Sequence, residues 1–431
     1  MKKTLNTILL KKLLAFSFFI QLSVLPLSPL VTAELQTQEK IEVSQELDLL
    51  RGEHYLFVNA TEDVSSFHIR YSFPPDYNYQ VPIFLEVIND STANILNYEI
   101  QDDTFQPNKI INFTIGPMQK GSMVSLHFYC WVLINNTNYS DLPSYVKIPK
   151  RYELPEETKY WLSSSDVVQS DNILIKMKAF EVRGFTDNIL RLANKIAFYV
   201  KWHRLPFYSL QLTLGTLKGQ DALTTLFRNG DCPGRSHLAS AFFRVNGIPA
   251  QVVLVTRNYP FWYQMHFMVE YYCPNYGWIL SEVHNAETPY EPKNQIIMRV
   301  CSLEDENTTG HDFIFSKMTG VEQWFWIDNN AVKPYYKDLK EGSKVNMFPE
   351  NDVFTTATLA SSAMNITQVV FSFYQQYLGK NLSVEDLIHF QNALGYQKQA
   401  ILSLKQSDEP SGYLSNMNLA LTEYTEITDK K

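Results

Sequence analysis

The sequence predicts an α+β chain: an antiparallel β-sandwich, then a helix-and-sheet domain built around a thiol, then a helical segment. Three observations predict it. Short alternating apolar runs mark residues 34–150, a Gly-Asp-Cys turn opens an apolar helix within 151–330 with strands after it, and 331–431 reads as a linker followed, from about 351, by amphipathic runs at helical spacing.

The first 33 residues stand apart from this plan. Lys2, Lys3, Lys11 and Lys12 precede an apolar stretch that ends in Val31-Thr32-Ala33. A basic start, an apolar middle and a small-residue site read as a secretory signal peptide, cleaved before Glu34. The other reading is an uncleaved N-terminal anchor. No later run is long and apolar enough to span a bilayer, so no integral span is expected once the leader is removed. Loss of the leader's four lysines takes the formal charge from -8 to -12. An acidic chain without a basic block argues against nucleic acid as a partner. Asn-x-Ser/Thr acceptors at Asn59, Asn89, Asn112, Asn135, Asn138, Asn307, Asn365 and Asn381 fit a secreted or cell-surface glycoprotein.

Within 34–150 the runs HYLFVNA, SFHIRYSF, VPIFLEVI, IINFTIG and SMVSLHFYCWVLI alternate and are punctuated by Asn, Asp, Pro and Gly. That spacing is the one an antiparallel sandwich gives. Cys130 sits inside an apolar strand as a small buried hydrophobe, and His68 and His127 stand singly on strands as satisfied or exposed side chains. The polar stretch 150–156 reads as a linker. Helices are expected over 170–182 and 187–201; the second carries Leu190, Ala193, Ile196, Ala197 and Val200 on one face, as core.

Chemistry is expected at Gly230-Asp231-Cys232-Pro233-Gly234. Leu238, Ala241, Phe242 and Val245 follow at helical spacing, and Gly247 stands where a helix C-cap wants glycine. Cys232 therefore occupies the first turn of a mostly buried helix, where free amide N–H groups and the helix dipole favour a thiolate. The bland alternative is a structural cysteine or half of a disulfide. Cys273, in the turn after the next strand, and Cys301, ending QIIMRVC, are the expected disulfide pair, which leaves Cys232 free. Downstream, QMHFMVEYY puts His266, Met268, Glu270 and Tyr272 on one strand face. Its hairpin partner GWILSEVH returns so that Glu282 faces His266 directly or one diagonal step away, roughly 5–8 Å between backbones. Glu282 would orient the imidazole, with His284 and Glu270 as rivals for that role. The remaining histidines lack the spacing of a metal set, and no glycine-rich phosphate loop occurs, so neither metal nor cofactor is expected. Past 294 the runs QIIMRVCSL, HDFIFSKM and VEQWFWID are expected to complete the sheet of the thiol domain. From about 351 the pattern turns to a helical hairpin.

Gly230-Asp231-Cys232, a helix, Gly247-Ile248-Pro249-Ala250-Gln251-Val252-Val253, a strand with His266, then Gly277-Trp278 and an acid four residues past the Trp: this order resembles the transglutaminase-like superfamily, whose core is shared with papain-type cysteine peptidases. The resemblance runs from about 221 to 282 and departs at the third member, which is usually Asp and here is Glu282. It implies a papain-like core and a Cys232-His266-Glu282 triad. One oxyanion donor would be the Cys232 backbone N–H; the resemblance places a second on a side chain some thirty residues upstream, where Trp202 and Tyr208 are the candidates. A sandwich ahead of such a core also resembles other extracellular members. The expected function is exported thiol acyl transfer on protein or peptide amides, ending in hydrolysis or in transfer to an amine. The alternative is a non-catalytic surface binding or scaffold protein that keeps the fold.

Overall fold

The computed structural model describes residues 44–136, 139, 142–203, 220–257, 265–292, 295–307, 325–334, 344–406 and 411–428. The leader, Asn138, Tyr208 and the run at 311–318 lie outside them.

The chain opens with β1 (Ser44–Ala60), β2 (Phe67–Phe73), β3 (Gln80–Val87), β4 (Ile95–Asp102), β5 (Lys109–Ile115) and β6 (Met123–Asn135). Then come α1 (Ile173–Arg183), α2 (Ile189–Trp202), α3 (Ala222–Phe227) and α4 (Cys232–Val245), followed by β7 (Ala250–Arg257), β8 (Met265–Cys273), β9 (Gly277–Ser281) and β10 (Gln295–Val300). Three short or late strands, β11 (Phe325–Ile327), β12 (Val332–Pro334) and β13 (Lys344–Thr356), precede α5 (Ala357–Tyr377), α6 (Val384–Gln406) and α7 (Ser411–Glu426).

The sandwich is built from both ends of this order. One sheet runs β12-β1-β6-β3 with β13 also paired to β1, and the other runs β11-β2-β5-β4. Their inner faces meet in an aromatic core: the rings of Tyr71 and Phe113 lie 5.0 and 5.3 Å from that of Phe128. Cys130 is buried on β6, as its apolar context requires. His68 is held by Asp328, and His127 by Asp90 and Glu53, so both single histidines are satisfied. Phe325–Ile327 pairs β2 and not the thiol sheet, which corrects the expectation for VEQWFWID; QIIMRV does join the thiol sheet.

That thiol sheet has the order β10-β7-β8-β9, antiparallel throughout. β10 is an edge strand, and its outward backbone groups are met by two buried carboxamides from the sandwich. Gln80 bonds both the N–H and the carbonyl of Ile297 (2.8 and 2.9 Å), and Asn108 does the same for Val300 (2.8 and 2.7 Å). Each side chain imitates one rung of a β-ladder, so an otherwise open edge is closed by the neighbouring layer. Just past the polar stretch 150–156 the chain is docked: Trp161 is buried, with its ring edge-on to Phe105 and Trp278.

Helices α1, α2 and α4 bury Ile175, Ala179, Ile189, Leu192, Ala193, Ile196, Ala197, Leu238, Phe242 and Phe243 in one cluster with Val269 and Tyr271 of β8. At the far end the chain forms three helices where a hairpin was expected, and strand β13 occupies the start of that stretch. They lie on the sandwich: the Tyr374 hydroxyl bonds Leu85 N and O (3.3 and 3.1 Å), and Gln397 Nε2 donates to the Ile83 carbonyl (2.9 Å). Among the described residues no helix is long and apolar enough to cross a membrane.

Candidate active site

Cys232 is the first residue of α4, with Asp231 as the extended N-cap before it and Pro233 after it. Proline is tolerated there because the first-turn N–H groups have no intrahelical partner. Arg235, buried, donates from Nε to the Gly230 carbonyl (3.2 Å) and folds the preceding turn back onto the helix. Gly230 and Gly234 are needed for close approach, since a Cβ on either would come within 2.4 Å of Thr225 Oγ1. At the other end of α4, Arg244 makes a fully buried bidentate pair with Glu306 (2.6 and 2.8 Å), placing a cation where the helix dipole is negative. The helix then stops at Asn246 and Gly247, whose φ of 79° is the left-handed conformation that favours glycine. Cys232 is partly exposed, whereas Cys130, Cys273 and Cys301 are buried.

Two contacts fix how α4 lies on β8. Ser236 Oγ donates to the Phe267 carbonyl (3.1 Å), and the Phe243 and Tyr271 rings stack at 4.9 Å. Helix and strand therefore run in the same direction. One turn back from Ser236, at about 1.5 Å per residue, brings Cys232 level with the first residues of β8, where His266 stands.

His266 Nε2 lies 2.6 Å from Glu282 Oε2, and the Glu282 side chain is fully buried. Val269 pairs Ser281 and Glu270 pairs Leu280 across the hairpin, so Glu282 sits one diagonal step from His266. The other carboxylate oxygen accepts the backbone N–H of His284 (2.9 Å), and Glu282 and Glu287 exchange both backbone bonds. This tight turn fixes the carboxylate. A carboxylate on Nε2 holds the ring proton there in the neutral tautomer, which leaves Nδ1 as the basic nitrogen.

The rivals are placed elsewhere. The His284 ring stands edge-on to that of His266 at 6.2 Å. Glu270 is turned to Tyr77 (2.8 Å), Asn78 (3.3 Å) and Gln251 (2.7 Å), where burial pushes its carboxyl up to about 7. Trp202 ends α2 with 63% of its surface exposed, against Phe198 and Lys201. Tyr208 lies outside the described residues. Cys273 and Cys301 are free thiols, which corrects the expected disulfide. β7 separates their strands, and each is packed into a different hydrophobic cluster. Among the described residues no group of three or more His, Cys, Asp or Glu is placed to hold a metal.

Sequence reasoning missed Gln220. Its Oε1 accepts the N–H of Asp231 (3.1 Å) and of Gly234 (3.0 Å), and its carbonyl accepts from His237 Nδ1. No local pattern announces a cap supplied from outside the helix. An open cleft of about 690 Å³ is lined by Arg191, Phe198, Tyr199, Trp202, His203 and Ala286, the last in the turn that follows Glu282.

Residues 179–283 match the family model described as the transglutaminase-like superfamily, an interval that begins in α1 and ends just past Glu282. No curated protein sequence matches the chain. Among solved structures, a candidate cysteine protease from Cytophaga hutchinsonii is similar over 73% of this chain and 95% of its own, at 13% identity and a TM-score of 0.49. A candidate protease from Parabacteroides distasonis is similar over 52% of this chain and 42% of its own, at 13% identity and a TM-score of 0.22. The family match carries the assignment: residues 179–283 are a transglutaminase-like domain.

Proposed function

We propose that this chain is an exported thiol acyl-transfer enzyme acting on protein or peptide amides through Cys232, His266 and Glu282. The observation that carries the reading is the 2.6 Å contact between His266 Nε2 and the buried Glu282 carboxylate, on a strand that lies alongside the first turn of the Cys232 helix. In this mechanism His266 Nδ1 takes the thiol proton and the thiolate attacks the amide carbonyl carbon. The imidazolium, stabilised by Glu282, then protonates the departing amine as the C–N bond breaks. A thioester on Cys232 remains. His266 next deprotonates a water or an amine, whose attack on the thioester releases an acid or a new amide and restores the thiol. The Cys232 backbone N–H, at a helix start, is a donor for the oxyanion.

Turnover of a peptide-amide library tests the reading. Cys232→Ala is expected to abolish product formation and His266→Ala to reduce it nearly as far, with circular dichroism unchanged. Full turnover by Cys232→Ala would remove the thiol mechanism. Export rests on the basic-apolar leader with its Val31-Thr32-Ala33 site, and N-terminal sequencing of the secreted chain should begin at or near Glu34. A membrane-bound chain that keeps Met1 would argue for an anchor.

A further inference from the structure

A helix start is commonly closed by a capping box, in which the N-cap side chain takes the N–H of the third helical residue and that residue's side chain takes the N-cap N–H. Helix α4 has the acid for the first half in Asp231 and uses none of it, because the Asp231 side chain makes no capping bond. The second half is impossible, because the third helical residue is Gly234. Both N–H groups are taken by one atom, Oε1 of Gln220, at 3.1 and 3.0 Å. Gln220 is held for this by its own carbonyl, which accepts from the buried His237 on the next turn. The bare face of Gly234 lets it in, since a Cβ there would stand 2.7 Å from Oε1.

The choice of amide has a consequence. A glutamate could make the same two bonds more strongly, because a negative charge is favoured at a helix N-terminus. It would also spend the positive end of the helix on itself. Resting on the reading of Cys232 as a nucleophile, we propose that Gln220 is a positioning residue: a neutral external cap that keeps Asp231 off the start of α4 and leaves the helix field to the Cys232 thiolate. Among the described residues, the charged or titratable groups around this turn include Asp231 at the N-cap, Arg235 and His237 on α4, Asp221 capping α3, His203 and Glu306, which act on Arg235 and His237, and His266 on β8 with Glu282 after β9.

The test is the pH dependence of Cys232 alkylation by iodoacetamide, read by peptide mass spectrometry on the full chain. Gln220→Glu should raise the midpoint by about half to one pH unit and, at pH values below the wild-type midpoint, slow alkylation about three- to tenfold. Gln220→Ala should raise it too, as Asp231 swings in to cap, and adding Asp231→Asn should bring it back toward the wild-type value. Should Gln220→Ala fail to fold, Gln220→Glu, which keeps both hydrogen bonds, decides alone. A folded Gln220→Glu with the wild-type midpoint overturns the proposal, as does a Gln220→Ala midpoint that Asp231→Asn does not lower. A wild-type midpoint near the free-thiol value of about 8.5 overturns the nucleophile reading and this inference with it.

Discussion

At the scale of single residues, the proposed third member of the site, Glu282, separates by its environment from its rivals. Glu282 touches His266 Nε2 at 2.6 Å, while Glu270 spends its oxygens on Tyr77, Asn78 and Gln251. Glu282→Gln should leave the fold intact but favour the wrong imidazole tautomer, with turnover falling on the order of 10²–10⁴-fold. Glu282→Asp keeps the charge and shortens the reach by one methylene, and should retain measurable turnover. Steady-state kinetics on both, with Glu270→Gln alongside, decide the matter; an active Glu282→Gln beside an inactive Glu270→Gln would reverse the assignment. The contact between His266 and Glu282 was legible in the sequence because strand alternation and a short turn fix which side chains can meet. Gln220 was not, because its cap depends on where the chain returns in space, twelve positions before Cys232.

At the scale of elements, α4 was legible because its apolar spacing and Gly247 bound it locally. Strand β4 was missed: it is a sheet edge with only Ile100 buried, so its sequence carries little alternation. The close packing under the first turn of α4 makes a sharp prediction. Ala normally stabilises a helix relative to Gly, yet Gly234→Ala would drive a methyl to 2.4 Å from Thr225 Oγ1 and 2.7 Å from Gln220 Oε1. We expect a net loss of about 1–3 kcal/mol in urea unfolding, partly recovered in the double variant with Thr225→Ala. A neutral or stabilising Gly234→Ala would mean that the helix start is looser than drawn.

At the scale of the whole molecule, the sandwich and the thiol sheet are joined through buried polar groups, and this was not legible at all. Strand β11 reads locally as a strand, but nothing local says that it closes the first domain's sheet and not the second's, and β12 and β13 lie in a stretch that reads as linker and helix. The interface also holds Glu270, whose partners from the sandwich are Tyr77 and Asn78. Burial pushes its carboxyl from 4.5 up to about 7. A raised carboxyl favours the folded state while it is protonated, so stability from this group is fully present below about pH 4.5 and is lost as pH rises through about 7. The whole difference is about 3 kcal/mol, of which about 2 kcal/mol falls above about pH 5.5. Urea unfolding of the wild type should therefore weaken between pH 5.5 and 8 relative to Glu270→Gln, which cannot ionise. Parallel profiles for the two proteins would contradict it.

The central claim is that His266 and the start of α4 together make Cys232 a reactive thiolate. Its most direct measurement is the rate of iodoacetamide labelling at Cys232 from pH 4 to 10 in the wild type and in His266→Ala. The account predicts a wild-type midpoint well below the free-thiol value of about 8.5, moved upward when the imidazole is removed. Coincident profiles with midpoints near that free value would contradict it.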